Sequence, residues 1–287
     1  MLLLNRLVLP ENCSVRLDLE YDDFEIEDKV VGEGGFGSVR LARVKQTGQV
    51  FVIKEIDVSG RPPLIIDLVL NEIQHLCIVS NCPFICPLFA VFEYDSSIYM
   101  VQDMCGDDLI TVLFNSRRTD ITLGKKLKWF KQVVSAIECC HARKILHLDI
   151  KLENVLINPT TDMVKVIDFG LSQFEEQLVN KRSGTTYAMA PELLAKKQIS
   201  KATDYWALGV LLYIMVMARK PFDVAGQHTL SRRQYIHHMY LATRSLKYNY
   251  DDLPDIVKPI IANIFVIDPE KRWTPSEILK YLKEHGI

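Results

Sequence analysis

Three polar side chains in this sequence have types and spacings that suit proton transfer and the binding of a metal ion. Asp149 and Asn154 lie five residues apart in the segment His147–Asn154, within an apolar stretch of the chain. A carboxylate in such a setting can accept the proton of a hydroxyl group, and an amide oxygen can bind a metal ion. Asp168 directly follows a predicted strand over Met163–Ile167. Its carboxylate suits Mg²⁺, a cation that prefers oxygen ligands.

A glycine-rich stretch earlier in the chain could bring backbone N–H groups close to phosphates. Gly32, Gly34 and Gly37 fall within the segment Gly32–Val39, and glycines allow such an approach because they lack a Cβ atom. The residues Val39–Val44 alternate like a strand. The loop is therefore predicted to join two strands, whereas a dinucleotide-binding loop would open a helix. On its own the pattern is equally typical of a glycine-rich hairpin.

A lysine and a glutamate form a second pair that could act on phosphates. Lys54 closes the β-branched and aromatic run Val50–Ile53, and Glu72 lies in the predicted helix Leu64–Leu76. A lone lysine at a strand end is most commonly an edge charge. A carboxylate that holds the ammonium in place would let the lysine present a point charge to two phosphates.

The remaining motifs are interpreted as structural. Glu192 ends an Ala-Pro-Glu sequence, and Asp204 precedes the apolar helix predicted over Trp206–Met217. Asp204 could cap this helix or bind a nearby backbone segment. Glu192 and Arg272 could form a buried ion pair that ties the Ala-Pro-Glu loop to the C-terminal helices.

Secondary structure must position these candidate residues, and the residue patterns predict two lobes of different secondary structure. The chain has 287 residues, a length that suits two domains or one domain of two lobes. The segment Phe24–Asp103 has mainly strand patterns, whereas the residues after Asp107 have the apolar spacing of helices. We predict an N-terminal extension over 1–23, a strand-rich lobe over 24–102, a connector over 103–106 and a helical lobe over 107–287.

Composition argues against several classes of protein. Lys and Arg total 34 and Asp and Glu 36, for a net charge of −2, so no footprint for nucleic acid or an anionic membrane is expected. The longest apolar run, Trp206–Ala218, is too short to span a bilayer.

The cysteines suggest where the chain is located. Seven cysteines and no evident signal peptide predict a reduced, intracellular chain, cytoplasmic and/or nuclear. His75, Cys77, Cys82 and Cys86 could in principle bind zinc, but their apolar surroundings favour buried thiols.

Taken in order, these motifs resemble those of the eukaryotic-type protein kinases over about residues 24–283. The matching set is the glycine-rich loop, the strand lysine, the helix glutamate, the catalytic loop, Asp-Phe-Gly and Ala-Pro-Glu. The pattern Asp149-x-Lys151-x-x-Asn154 is similar to the serine/threonine branch. The catalytic loop and the helix that begins at Asp204 are similar to the group of cyclic-nucleotide-dependent kinases and protein kinase C. Compact kinases of this size also occur in large DNA viruses, which leaves a viral source open.

The resemblance implies an α+β fold with two lobes, a small β-rich N-lobe with one main helix and a larger helical C-lobe. It implies a protein serine/threonine kinase that transfers the γ-phosphate of ATP to protein hydroxyls with Mg²⁺. Asp149 would orient the hydroxyl and accept its proton, Lys151 would steady the γ-phosphate, and Thr185 would bond to both. Asn154 and Asp168 would bind magnesium.

The resemblance also assigns residues to the nucleotide. Lys54 would hold the α- and β-phosphates and pair with Glu72. The phosphates would be covered by Gly32, Gly34 and Gly37, and the adenine would be lined by Val39, Val52, Gln102, Asp103, Cys105 and Leu156.

Two departures from the family pattern concern regulation. Leu148 stands where the family has the arginine that pairs with a phosphate on the activation segment. Lys181 stands close to the position that normally carries this phosphate. We therefore expect activity that does not depend on phosphorylation of that segment.

The resemblance also implies a substrate preference. In related kinases that prefer basic substrates, several carboxylates attract arginines that lie N-terminal to the phosphoacceptor residue of the substrate. Glu153 keeps one such position and Asp107 or Asp108 a second, whereas the third is Ile214. We expect protein substrates with a moderate preference for arginine two or three residues before the phosphoacceptor.

Two other readings remain open at this point. A pseudokinase that acts as a nucleotide-binding scaffold would be supported by loss of Lys54, Asp149, Asn154 or Asp168, and none of these is lost. A small-molecule phosphotransferase of related fold usually lacks the Ala-Pro-Glu segment and the Asp-x-Trp-x-x-Gly helix, which are both present. The sequence does not indicate the physiological substrate or the oligomeric state.

Overall fold

The computed structural model describes residues 3–10, 13–33, 37–114, 121–158, 160–179 and 184–287. The chain divides into two compact units, Met1–Gly106 with Ile167–Gly170, and Asp107–Val166 with Leu171–Ile287. The first is built on a five-stranded sheet and the second mainly on helices, which confirms the predicted α+β class. The segment Ile167–Gly170 groups with the first unit, whereas the predicted boundaries placed it in the helical lobe.

The first unit is an antiparallel sheet with one long helix. Its elements are β1 (Phe24–Glu33), β2 (Ser38–Val44), β3 (Val50–Asp57), α1 (Pro63–Ile78), β4 (Leu88–Tyr94) and β5 (Ser97–Asp103). The strand order is β1-β2-β3-β5-β4. The predicted strand at Val50–Ile53 and the predicted helix at Leu64–Leu76 are both confirmed. The strand β3 continues four residues beyond its pattern, to Asp57, and α1 extends its pattern by one residue at the start and two at the end.

Aromatic side chains fill the core of this sheet. Phe24 and Phe92 stack with ring centroids 5.4 Å apart, and Tyr99 stacks on Phe92 at 5.1 Å. Phe51 and Val101 complete the same buried cluster. Each large apolar side chain buried in this way contributes about 1.5–3 kcal/mol to stability, so the sheet gives β3 and its lysine a rigid base.

Within the first unit, the described parts of the N-terminal segment, 3–10 and 13–23, contact the edge strand β4 and the helix α1. Arg16 forms a parallel bridge to Ala90 on the edge strand β4, with its N–H donating to the Phe89 carbonyl at 2.9 Å and its carbonyl accepting from Val91 N–H at 3.0 Å. Arg6 forms an exposed ion pair with Asp67 on α1 at 2.5 Å. The segment therefore pairs backbone groups that the edge strand would otherwise expose.

The second unit contains most of the helices. They are α2 (Leu109–Phe114), α3 (Leu123–Ala142), α4 (Pro191–Leu194), α5 (Lys201–Met217), α6 (Arg232–Ser245), α7 (Lys258–Ile264) and α8 (Pro275–Glu284). Short strands form two small sheets: β6 (Asp107–Asp108), β8 (Val155–Ile157) and β9 (Val164–Val166) in one, β7 (Ile145–Leu146) and β10 (Gln173–Phe174) in the other.

The apolar helix α5 forms the centre of the second unit. It begins at a capping box in which Ser200 and Thr203 satisfy the first backbone N–H groups. Trp206 is wholly buried and stacks on Phe222, with centroids 5.4 Å apart. Gly209 is required for close packing, because a Cβ atom there would lie 2.4 Å from the Ile264 side chain on α7. The helix predicted over Trp206–Met217 is thus confirmed.

Two further findings concern the described residues alone. None of their helices is long and apolar enough to cross a membrane. They also contain no group of three or more His, Cys, Asp or Glu side chains that could hold a metal ion, so the zinc alternative for His75, Cys77, Cys82 and Cys86 gains no support.

Candidate active site

The glycine-rich stretch joins β1 and β2, two paired strands. Gly32 pairs with Val39 and Glu33 with Ser38 at the end of this ladder. A Cβ atom at Gly37 would lie 1.8 Å from the Glu55 carbonyl oxygen on β3, so only glycine allows β2 to begin in this place. Gly34 lies outside the described residues.

Lys54 and Glu72 form a buried ion pair inside the first unit. The Lys54 ammonium, on β3, donates to both carboxylate oxygens of Glu72 on α1, at 2.8 and 3.0 Å. Burial raises the pKa of the Glu72 carboxyl above its ordinary value, and the attraction of Lys54 offsets part of that rise. The pair fixes the ammonium in one position, as a phosphate-binding lysine requires.

Asp168 follows strand β9 and adopts a left-handed conformation with φ of 64°, a region that aspartate enters more readily than most residues. Its Oδ1 accepts a hydrogen bond from Gly170 N–H at 3.3 Å. The charge of Asp168 further raises the pKa of Glu72, which agrees with its grouping in the first unit.

Asp149 lies at the centre of a hydrogen-bond network in the second unit. Its Oδ2 accepts from the Lys151 ammonium at 2.7 Å and from the Asn154 amide nitrogen at 3.1 Å. Its Oδ1 accepts from the Thr185 hydroxyl at 2.9 Å and from Thr185 N–H at 3.0 Å. Lys151 also donates to the Thr185 hydroxyl oxygen at 3.1 Å. The structure therefore brings together four residues that the sequence selected.

These contacts keep the carboxylate ionised. Burial works to raise the pKa of Asp149, but the hydrogen bonds and charge of Lys151, with the Thr185 hydroxyl, outweigh it and lower the pKa. Asp149 is therefore a carboxylate at neutral pH that is oriented from several sides and can accept a proton from a hydroxyl group.

Asn154 presents the donor set that a hard cation requires. Its amide nitrogen donates both to the Asp149 carbonyl, at 2.9 Å, and to the Asp149 carboxylate. Both bonds use the amide nitrogen, so neither occupies the lone pairs of the amide oxygen. Amide and carboxylate oxygens such as those of Asn154 and Asp168 fit Mg²⁺, which usually takes few protein ligands and completes its shell with phosphates and water.

The loop that carries Asp149 is anchored by Asp204 at the start of α5. The wholly buried Asp204 carboxylate accepts from His147 N–H at 2.9 Å and Leu148 N–H at 2.8 Å. It also bonds to His141 Nε2 at 2.7 Å. Burial works to raise the pKa of Asp204, but His141 and His147 outweigh burial and lower it. Of the two roles predicted for Asp204, the structure shows binding to a backbone segment, since Ser200 caps the helix.

Two unusual backbone conformations shape the same loop. Leu148 has φ of 65° and Gly184 has φ of 99°. A Cβ atom at Gly184 would lie 2.8 Å from the Leu148 carbonyl oxygen. Glycine is thus needed for both its φ and its lack of a side chain, and it allows Thr185 to reach Asp149.

The predicted ion pair between Glu192 and Arg272 forms and is buried. Arg272 donates to the two carboxylate oxygens at 2.7 and 2.8 Å. It also donates to the carbonyls of Ala202, at 2.8 Å, and Val266, at 2.9 Å. The pair joins the Ala-Pro-Glu segment to α5 and to the segment before α8.

Five of the six predicted adenine-lining residues belong to the first unit. Val52 pairs with Gln102 across β3 and β5, and Val39 pairs with Lys54 across β2 and β3. The Asp103 carbonyl accepts from the thiol of Cys105 at 3.4 Å. Leu156, the sixth, lies on β8 in the second unit.

Sequence reasoning missed several contacts of this site. His141 bonds to Asp204 across 63 residues, and no local pattern indicated it. The Tyr187 hydroxyl donates to the Glu153 carboxylate at 3.1 Å, a contact that no sequence pattern indicated. Asp108 caps α2, because its carboxylate accepts from the N–H and the hydroxyl of Thr111 at 2.8 and 2.9 Å. The Asp-x-x-Thr spacing could have revealed this cap.

Comparisons with known proteins agree with the geometry. Residues 25–282 match the family model described as protein kinase domain. One relative is the probable cAMP-dependent protein kinase catalytic subunit of Encephalitozoon cuniculi, 34% identical over 71% of this chain and 63% of the relative. Another is the serine/threonine-protein kinase kin-29 of Caenorhabditis elegans, 28% identical over 94% of this chain and 32% of the relative. The SNF1-like protein kinase ssp2 of Schizosaccharomyces pombe is 30% identical over 87% of this chain and 42% of its own length. The chain thus spans about a third to two thirds of the length of these relatives.

Proposed function

The chain belongs to the protein kinase domain family, and from this premise we propose that it is a protein serine/threonine kinase that transfers the γ-phosphate of ATP to protein hydroxyls. The observation that carries the proposal is the network in which Lys151, Asn154 and Thr185 hold the Asp149 carboxylate. Relatives with serine/threonine kinase names support the same choice of hydroxyl.

In the proposed reaction the protein mainly positions groups and balances charge. Asp149 orients the substrate hydroxyl and accepts its proton. Lys151, which lies 2.7 Å from Asp149, steadies the γ-phosphate. Lys54, fixed by Glu72, holds the α- and β-phosphates.

Protein kinase domains use ATP together with divalent metal ions, and we propose Mg²⁺ for this chain. Asn154 and Asp168 would hold it through their oxygen atoms, which are the ligands that Mg²⁺ prefers. The ion supplies positive charge at the phosphates. Gly32, Gly34 and Gly37 would bring backbone N–H groups to the same phosphates.

The pseudokinase alternative finds no support in the site. A scaffold would tolerate loss of the Asp149 network or of the Lys54–Glu72 pair, yet both are formed with distances of 2.7 to 3.1 Å.

An assay of the purified chain on a peptide array with labelled ATP tests the proposal. We expect label on serine and threonine, no transfer after chelation of divalent ions, and recovery with Mg²⁺. A folded chain that binds ATP but labels no protein or peptide would support the scaffold instead.

Treatment with phosphatase is expected to leave most of the activity in place. The reason is that Leu148, a buried apolar residue, cannot pair with a phosphate as an arginine would. The measurement is the rate on one peptide before and after treatment, with mass spectrometry to verify removal. A large loss of rate that Thr186→Glu or Ser183→Glu restores would contradict the prediction; Ser183 lies outside the described residues.

We propose a modest preference for arginine two or three residues before the phosphoacceptor, below about fivefold in kcat/KM. Glu153 is exposed, and an exposed ion pair contributes less than about 1 kcal/mol. Asp107 or Asp108 is proposed as the second carboxylate, and Asp108 also caps α2. Ile214, at the third position, attracts no cation. A peptide library at low and high salt measures the preference, which should weaken with salt. If Glu153→Ala leaves the enrichment unchanged, Glu153 is not its source.

A further inference from the structure

A cavity of about 530 Å³ in the second unit lies beside the Asp149 loop. Leu152 and Glu153, close to Asp149 in the chain, line one side, and Ile214 of α5 lines another. Tyr187, two residues after Thr185, and Lys220, which follows α5, also line it. A substrate whose hydroxyl is bound by Asp149 would extend a neighbouring residue over this surface.

The Glu153 carboxylate in this cavity already has a partner. The Tyr187 hydroxyl lies 3.1 Å from one carboxylate oxygen and 3.4 Å from the other. Burial and the Glu153 charge raise the pKa of Tyr187, so the phenol stays protonated and donates. Tyr187 itself is held in place, because the adjacent Ala188 and Met189 are buried.

A cation lies over the same tyrosine ring. The Lys220 ammonium is 4.8 Å from the Tyr187 ring centroid, within the range of a cation–π interaction. Lys220 is half-buried. Its segment is anchored by Phe222, which is 1% exposed and packs between Trp206 and Phe265. The core therefore holds the backbone segment that carries Lys220.

Among the described residues, four charged ones line the cavity, Glu153, Arg219, Lys220 and Asp223. Lys220 lies over the Tyr187 ring and Glu153 accepts from its hydroxyl, so these two charges lie within about one Debye length, roughly 10 Å at 0.1 M salt. Arg219 has an ion-pair partner outside the cavity, whereas Asp223 accepts a backbone hydrogen bond that leaves its charge in place. Arg219 pairs with Asp252 at 3.3 Å, and the Asp223 carboxylate accepts from Val224 N–H at 2.9 Å. An arginine that arrives near Glu153 therefore also meets the positive charge of Lys220.

We propose that Lys220 is a specificity-determining residue that weakens the attraction of Glu153 for an arginine upstream of the phosphoacceptor. The inference rests on the proposed kinase function and deepens it. Loss of the Lys220 charge removes a repulsion that an arriving arginine meets near Glu153. The kcat/KM for an arginine peptide relative to an alanine peptide should then increase about three- to fivefold, the size of effect typical of one exposed charge pair.

The test compares two peptides that differ only in arginine or alanine at the second and third residues before the serine. The quantity measured is the ratio of their kcat/KM values. We expect Lys220→Met to raise this ratio about three- to fivefold, with the alanine peptide turned over at the wild-type rate. Lys220→Arg keeps the charge and should keep the wild-type ratio.

Two further variants separate a local effect from a change in net charge. Lys128 is exposed on α3 and does not line the cavity, so Lys128→Met should leave the ratio unchanged. Adding Glu153→Gln to Lys220→Met should remove the rise in the ratio that Lys220→Met alone produces. An unchanged ratio in Lys220→Met, with normal turnover of the alanine peptide, would overturn the inference. Absence of turnover of both peptides by the wild-type chain would contradict the proposed function, and this inference with it.

Discussion

Replacement of Asp149 by asparagine is expected to lower the rate of phosphate transfer by about 10²- to 10⁴-fold, the usual effect of losing a general base. The amide has nearly the same size and can still accept from Thr185, whose hydroxyl and N–H lie 2.9 and 3.0 Å from Asp149 Oδ1 in the wild type. It cannot take up the proton of the substrate hydroxyl. The measurement is kcat on a serine peptide, with the dissociation constant for ATP determined in parallel.

The Asp149→Asn variant should lose catalysis but keep its affinity for ATP, which distinguishes loss of the general base from loss of nucleotide binding. Asp149 is surrounded by residues of its own loop and by Thr185, whereas the proposed phosphate-binding lysine, Lys54, is held by Glu72 in the first unit. ATP affinity should therefore stay within about threefold of the wild type, less than 1 kcal/mol. Asp255→Asn, at an exposed aspartate that pairs only with Lys258 in the described residues, serves as a matched control. Near-normal turnover by Asp149→Asn would show that another group accepts the proton.

Much of this site could be predicted because several of its functional residues lie close together in the sequence. Asp149, Lys151 and Asn154 lie within six residues, so the spacing of Asp149 and Asn154 could be noticed directly and the family resemblance then assigned Lys151. The Lys54–Glu72 pair could be predicted because Lys54 ends a strand pattern and Glu72 lies in the helix pattern that follows it in the sequence. Periodicity identified α1 and α5 for the same reason, since each buries a continuous apolar face.

The contacts that were not predicted depend on tertiary packing. Tyr187 and Glu153 are 34 residues apart, and Lys220 lies over the Tyr187 ring from a segment 33 residues further along the chain. No periodicity connects such residues. The bridge between Arg16 and β4 was missed because a single bridge carries no strand pattern. The grouping of Asp168 with the first unit reflects spatial contacts that its place in the chain does not indicate.

Replacement of Arg272 by alanine is expected to lower the free energy of unfolding by about 3–5 kcal/mol, the usual cost of removing one partner of a buried ion pair. The Arg272 side chain is wholly buried and that of Glu192 is 6% exposed. Removal of the guanidinium leaves the carboxylate without its bidentate partner. It also leaves the carbonyls of Ala202 and Val266 without their arginine donor. Urea unfolding of the wild type and the variant, followed by circular dichroism, measures the difference.

An exposed ion pair in the same unit serves as a control that shows whether burial, rather than the loss of an arginine charge as such, causes the destabilisation. Arg219 and Asp252 form an ion pair at 3.3 Å whose side chains are 53% and 63% exposed, so Arg219→Ala should cost less than about 1 kcal/mol. The double variant Glu192→Leu with Arg272→Met should be more stable than Arg272→Ala, because it leaves no unpaired charge in the core. If Arg272→Ala costs no more than Arg219→Ala, the Glu192 carboxylate must find water or a proton once its partner is lost. The pair would then not be what holds the Ala-Pro-Glu segment against α5.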